Sequence, residues 1–285
     1  MKIKELTKEI FNYFVFGNFY IAVCAAVMFL HTKIIFSLNI TKAFIPFIFF
    51  STLSSYSFHW YLTRHINPVS QRLRWSESHR KLLAVLFFIS AACTAVFFIP
   101  LVNYYKVLLP IAFITFMYTA PKIPLRPFTL IQRIAVMKTT YLALVWVFIT
   151  AALPVLVSDS VWNYGNTLFV SNRLFLIFPI CVLFDYRDRE EDKLVGIKNI
   201  ATVLSEQSLD YVFGACMVLS FLTAGLLQNI LQNRIYTFAN IAPSVLLILT
   251  YKISKTSKSD LWYYFYLDGL MMLSGLLVLA VYLLE

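Results

Sequence analysis

Asp185, Asp188 and Asp192 stand in the stretch LFDYRDREEDKLVG, which closes a long apolar run. Each residue of an α-helix turns about 100°. Asp188 therefore falls about 60°, and Asp192 about 20°, from Asp185, and three carboxylates share a narrow face. Like charges at such spacings destabilise a helix by about a few tenths of a kcal/mol per pair, so a counter-charge is expected. Mg²⁺ is the simplest one, because it takes carboxylate oxygens and completes its shell with water and phosphate. The plain alternative is a span that ends in water, its acids neutralised by Arg187, Arg189 and Lys193.

Other polar residues stand out against the apolar background. His59 follows Ser54 and Ser55 in a run otherwise rich in Phe and Tyr, where such residues also serve as helix-packing contacts. Lys138 lies about a turn inside an apolar segment, a costly place for a charge unless it snorkels to the edge. Asp268 sits inside the last apolar run, in YLDGLMM; its position nearer the outer half is expected to keep it apart from the acidic stretch. The 27 Phe and 17 Tyr supply ring faces that attract cations, although most are expected to be core or lipid contacts.

These residues are carried by a chain of 285, 60% hydrophobic and only 13% charged. A soluble domain is about half apolar and about a quarter charged, so this is a membrane-protein composition. The net charge of +10 is assigned to membrane orientation rather than nucleic acid, because basic residues beside apolar spans fix topology. Cys24, Cys93, Cys181 and Cys216 each lie in an apolar run, without the paired spacing of a zinc or redox site. The N-terminal MKIKELTKEIFNYF lacks the cleavage site of a signal peptide.

About 20 apolar residues cross a bilayer. By that measure spans fall near 11–31, 40–62, 81–101, 104–120, 133–153, 167–184, 209–228, 234–253 and 261–284. The N-terminus and the loops after spans two, four, six and eight hold 18 Lys and Arg; the opposite side holds five, Lys33, Lys42, Lys106, Arg173 and Arg234. The positive-inside rule then puts the N-terminus and the acidic stretch in the cytoplasm, in a multi-pass protein of the cell (inner) membrane. No internal repeat or pair of interrupted spans favours a transporter.

The segment DYRDREEDKLVGIKNIAT resembles the second aspartate-rich motif of the UbiA superfamily of intramembrane prenyltransferases, with its D-x-x-D-x-x-x-D spacing at Asp185, Asp188 and Asp192. YTAPKIPLRPFTLIQRIAVMK resembles the Tyr-Pro-basic stretch that follows span four in that family. The resemblance covers essentially the whole chain. It implies an all-α fold, a nine-transmembrane-helix bundle forming a single domain over 1–285, around a cavity open to lipid. It implies transfer of an isoprenoid from a prenyl diphosphate to a lipid or aromatic acceptor. Mg²⁺ at Asp185, Asp188 and Asp192 would hold the diphosphate, with Lys122, Arg126, Arg189 and Lys138 as substrate-binding cations. Membrane lipids and prenyl diphosphate are the expected partners; no nucleic acid is expected, and no protein partner is named.

The chain departs from the pattern at the family's first motif, expected after span two. In LSSYSFHWYLTRHINP, anchored on Asn67-Pro68, the carboxylate positions fall near Ser55, His59 and Thr63, and no acidic residue lies between Glu9 and Glu77. His59 takes the central position. It is a poor Mg²⁺ ligand but a candidate base or hydrogen-bond donor, and is assigned the catalytic role. The alternatives are a protein that binds isoprenoid lipid without reacting it, and an intramembrane cyclase.

Overall fold

The structure is a computed structural model; it describes residues 2–63, 70–123, 138–194, 196 and 198–284, and among them there are helices and no strands. The expected all-α class holds. The elements are α1 (Lys2–Phe16), α2 (Phe19–Ile35), α3 (Phe44–Leu62), α4 (Gln71–Ser78), α5 (Arg80–Phe98), α6 (Tyr105–Thr119), α7 (Lys138–Leu156), α8 (Tyr164–Arg187), α9 (Arg189–Leu194), α10 (Ile200–Val203), α11 (Glu206–Leu231), α12 (Arg234–Thr256) and α13 (Trp262–Leu284). Six helical stretches among the described residues are long and apolar enough to cross a membrane. The bent pair Glu5–Phe16 and Phe19–Ile35 makes a seventh if it is one span. This is a polytopic membrane protein.

The difference from the expected nine lies in two places. The stretch Phe44–Leu62 is diluted by Ser51, Ser54, Ser55, Ser57 and His59 and falls short on hydropathy. The segments 81–101 and 104–120 fall in one helical stretch, Arg80–Thr119. That stretch nevertheless doubles back. Phe87 of α5 and Phe116 of α6 both lie within 6.5 Å of the Phe58 ring, whereas the 29 residues between them would extend about 43 Å along a straight helix. The 3₁₀ segment Ile99–Tyr104, with Pro100 in its first turn, makes the reversal.

Two compact units divide the chain. One holds residues 1–26 and 41–130, the other 27–40 and 131–285. In the first unit α3 packs lengthwise on α5, through the ring pairs Phe58–Phe87 and Phe50–Phe97. Arg72 of α4 is fully buried and donates to the Phe16 carbonyl and to Asn18 Oδ1, with its guanidinium 4.2 Å over Trp60. It thereby satisfies an orphan carbonyl at the end of α1.

In the second unit α8 is the central helix, packed on α7 and α11. Its start is set by a capping box in which Asn163 and Asn166 bond each other's backbone. α7 carries a π-helical turn at Phe148–Ala152, which leaves the Thr150 carbonyl free for outside donors. Thr32 Oγ1, at 2.6 Å, and Arg173 Nη1, at 3.0 Å, both donate to it. Arg173, counted above among the loop cations, is instead buried inside α8, because α8 begins at Tyr164. It also donates to the Met28 carbonyl and to Nδ1 of His31, and Phe169 lies 4.8 Å from its guanidinium. Among the described residues no carboxylate pairs with it.

Candidate functional site

The predicted site residues fall on both units, and each group is described within its own. Arg126, Arg64 and Asn67-Pro68 lie outside the described residues.

In the first unit the site sits at the end of α3. His59 is in its last turn, and Thr63 is the cap whose N–H returns to the His59 carbonyl. Lys122, in the 3₁₀ turn after α6, places Nζ 2.7 Å from His59 Nε2 and donates to Thr63 Oγ1. An ammonium has three donors and no acceptor, so His59 Nε2 must accept. The proton of the neutral ring is then on Nδ1, which faces Thr119 Oγ1 at 3.3 Å. Tyr118 stacks on the imidazole at 5.3 Å, and Trp60 lies 5.8 Å from the ammonium. A lysine is thus held on His59 and Thr63, two of the positions singled out in the sequence.

In the second unit the acidic motif crosses a helix break. α8 ends at Arg187, Asp188 is its C-cap with φ −91° and ψ 1°, and α9 starts at Arg189. The single continuous helix face assumed from the sequence does not form. Each carboxylate instead has its own local partner. Thr139 of α7 donates to Asp185, Asn199 donates to Asp192 at 2.7 Å, and Arg187 grips Asp188 with Nε at 2.7 Å and Nη2 at 3.0 Å. Bidentate pairing of this kind is the strong form of the Arg–carboxylate contact. Arg187 is itself enclosed by Tyr263, Tyr264 and Phe184, and reaches Asp260 at 3.4 Å.

The three aspartates still share an electrostatic neighbourhood. Burial, then the charges of Asp188 and Asp185, push the Asp192 carboxyl up to about 6, against the opposing pull of Lys138 and Asn199. Lys138, exposed at the start of α7, acts on both Asp185 and Asp192. Arg189 is directed elsewhere: it donates to the Leu204 carbonyl and lies 3.8 Å from Glu206. Asp268 is buried, and it and Asp185 both act on the same Cys181 thiol, one turn before Asp185 on α8. The expected separation between Asp268 and the acidic stretch is therefore corrected: Asp268 is the seventh residue of the last helix, whose first turns lie near Arg187.

Among the described residues no three His, Cys, Asp or Glu side chains stand close enough to hold a metal ion. As arranged, the aspartates do not form a cage for Mg²⁺. Arg187 and Asn199 hold two of them outward to protein donors.

Reading along the chain missed Thr139, Asn199 and Thr119; it named Arg187 only among the residues able to neutralise the acids, and Thr63 only as a motif position. Asn199 carried a local signal, the N-x-x-T capping box that opens α10. Thr139 and Thr119 carried none, since only the fold brings them to Asp185 and His59.

No protein-family model and no curated protein matches the chain. A solved structure does: the apo structure of a UbiA homolog from Aeropyrum pernix K1, at 14% sequence identity and a TM-score of 0.53, covering 96% of this chain and 98% of that one. The chain has a UbiA-like, polytopic, helical membrane fold.

Proposed function

We propose that this protein is a UbiA-like prenyltransferase, moving an isoprenoid from a prenyl diphosphate to a lipid or aromatic acceptor within the cell membrane. The observation that carries this reading is the acidic motif Asp185–Asp188–Asp192 at the end of α8, with Lys138 acting on two of its members, in a fold similar to a UbiA homolog. When the carbon–oxygen bond to diphosphate breaks, the pair of electrons leaves with the diphosphate and an allylic cation remains for the acceptor to capture. Fixed cations stabilise the departing charge. Lys122 and Lys138 are assigned that role, and the apolar spans the positioning of the isoprenoid tail. His59 gives up its place as a base while Lys122 occupies its Nε2 lone pair, and holds that cation instead.

Magnesium is assigned to the aspartates only in company with diphosphate, whose oxygens would supply ligands that the protein does not gather by itself. The N-terminus is assigned to the cytoplasm on the distribution of Lys and Arg.

One observation favours a second reading, an isoprenoid-binding protein without turnover: Asp188 and His59 are both engaged by the protein's own cations. Purified protein incubated with radiolabelled prenyl diphosphates, Mg²⁺ and membrane-lipid acceptors separates the two. A protein-dependent labelled lipid is expected; binding of label with no product would establish the second reading.

A further inference from the structure

α1 is built unlike the spans. Five of its fifteen residues, Lys2, Lys4, Glu5, Lys8 and Glu9, are charged. With Leu6 taken as zero, a turn of about 100° per residue puts Ile10 near 40°, Phe14 near 80° and Tyr13 near −20°, while Lys4 and Lys8 fall near 160° and 200°. Leu6 and Ile10 are 57% and 61% exposed, and Phe14 is 39% exposed. One stripe of the helix is apolar and open, and positions 4 and 8 fall on the other side of it.

This helix is also surplus to a membrane crossing. α2 alone, 17 residues with no lysine, arginine or acid before Lys33, extends about 26 Å, close to the roughly 30 Å of hydrocarbon. α1 and α2 end to end would extend about 48 Å. They are not end to end. The chain bends by 55° between them, at a joint that the structure fixes closely. Asn18 has a left-handed φ of 69°. A Cβ on Gly17 would meet the Tyr13 carbonyl oxygen at 2.2 Å. Buried Arg72 holds the Phe16 carbonyl and Asn18 together.

The other end of the first unit's surface there is basic. Tyr13 bonds His79 at 2.9 Å and packs edge-on against Trp75, tying α1 to α4 and the start of α5. Among the residues whose side chains are described, Lys8, Arg74, Arg80 and Lys81 stand with Glu5, Glu9 and Glu77, and the sequence adds Lys2 and Lys4 at the start of α1. Lys8, Arg74 and Lys81 are exposed.

We propose that α1 is an interfacial helix that binds the anionic headgroup layer of the membrane in which the chain sits. Leu6, Ile10 and Phe14 enter the boundary between headgroups and acyl chains, and the lysines with Arg74 and Lys81 draw phospholipid phosphates along the rim. An open apolar stripe on an otherwise charged first half is the pattern of helices that lie in this layer, and Tyr and Trp favour the same depth. A charged helix of this kind is a poor first half of a span. The proposal stands independently of the transferase reading.

The test uses the full chain carrying Cys93→Ala, since Cys24, Cys181 and Cys216 are buried. A spin label is placed on a single cysteine at position 6, 8, 10 or 14, and the protein is held in nanodiscs of phosphatidylcholine alone or mixed with phosphatidylglycerol. With phosphatidylglycerol present, labels at 6, 10 and 14 are expected to show a severalfold higher ratio of oxygen to nickel-chelate collisions than the label at 8, all at one shallow depth. That contrast should shrink in phosphatidylcholine alone and in Lys4→Glu/Arg74→Glu/Lys81→Glu. Three results would overturn the proposal: equal ratios at all four positions, which places α1 in water; depth that increases steadily from 6 to 14 whatever the face, which makes it part of a span; or indifference to phosphatidylglycerol, which removes the anionic partner.

Discussion

Lys122 Nζ lies 2.7 Å from Nε2 of His59. An ammonium there donates to the imidazole and to Thr63, the cap of α3. A charge held in this way, by an imidazole and a hydroxyl, is available to an anion.

Lys122→Ala is therefore expected to weaken binding of a prenyl diphosphate about 10- to 100-fold, the value of about 1.5–3 kcal/mol for a hydrogen bond to a charged group. His59→Gln keeps an acceptor for the ammonium and should stay within about threefold. Competition binding with geranylgeranyl diphosphate distinguishes them. Unchanged affinity in Lys122→Ala would remove the lysine from the site.

Asp188 is already paired with Arg187, so Mg²⁺ alone should hardly change the melting temperature. Mg²⁺ together with prenyl diphosphate should raise it more than either does alone, by binding linkage. Asp188→Asn should diminish that joint shift. With a half-exposed side chain, the substitution itself should cost less than about 1 kcal/mol. Tight binding of Mg²⁺ in the absence of diphosphate contradicts this account.

Asp192 carries a pH signature. Its carboxyl, ordinarily near 3.8, is pushed up to about 6 by burial and by the neighbouring aspartates. The folded chain then holds a proton that the unfolded chain has already released between these values. This contribution favours folding at low pH and is lost as pH rises from about 4 to 6. Asp192→Asn should remove it, leaving a variant whose melting temperature gains on the parent as pH goes from about 4.5 to 7. Parallel melting curves for the two proteins across that range would mean that Asp192 titrates normally.

Arg173 should be among the most sensitive positions in the second unit. Arg173→Ala takes one donor each from the Met28 and Thr150 carbonyls, which keep Thr32, and the donor to His31 Nδ1 in a buried site, and is expected to cost about 2–5 kcal/mol. Arg173→Met fills much of the volume without burying a charge, so its loss should be smaller. Thermal unfolding in detergent provides the comparison; an Ala or Met variant as stable as the parent would show that the donors do not matter.

The apolar runs and the acidic stretch were legible because each is a local property of the chain. α8 and α11 to α13 are recognisable from hydropathy, and Asp185, Asp188 and Asp192 from spacing. Arg173 was misplaced because one cation hardly alters the average over a long apolar window, and only tertiary packing supplies its three acceptors. The break at Asp188 was hidden by the assumption of a continuous helix; Arg187 grips its own neighbour, but the Tyr263 and Tyr264 rings that hold it there come from a distant helix. Lys122 and His59 were each singled out, but the 63 positions between them concealed that they meet.

The reversal at Ile99–Tyr104 bears on how the chain enters the membrane. The segment IPLVNY has no charge, and only Lys106 follows closely. At the far ends of the two helices stand Arg80 and Lys81 before, and Lys122 after. A connection so short and apolar offers no polar loop to be transported separately, so α5 and α6 should leave the insertion machinery as a pair. By the positive-inside rule their orientation would be set at the open end of the hairpin by its cations, and one of those cations, Lys122, is the group that lies on His59. Topogenesis and site assembly thus draw on the same residue: moving its charge would disturb the direction of insertion before it could disturb any reaction.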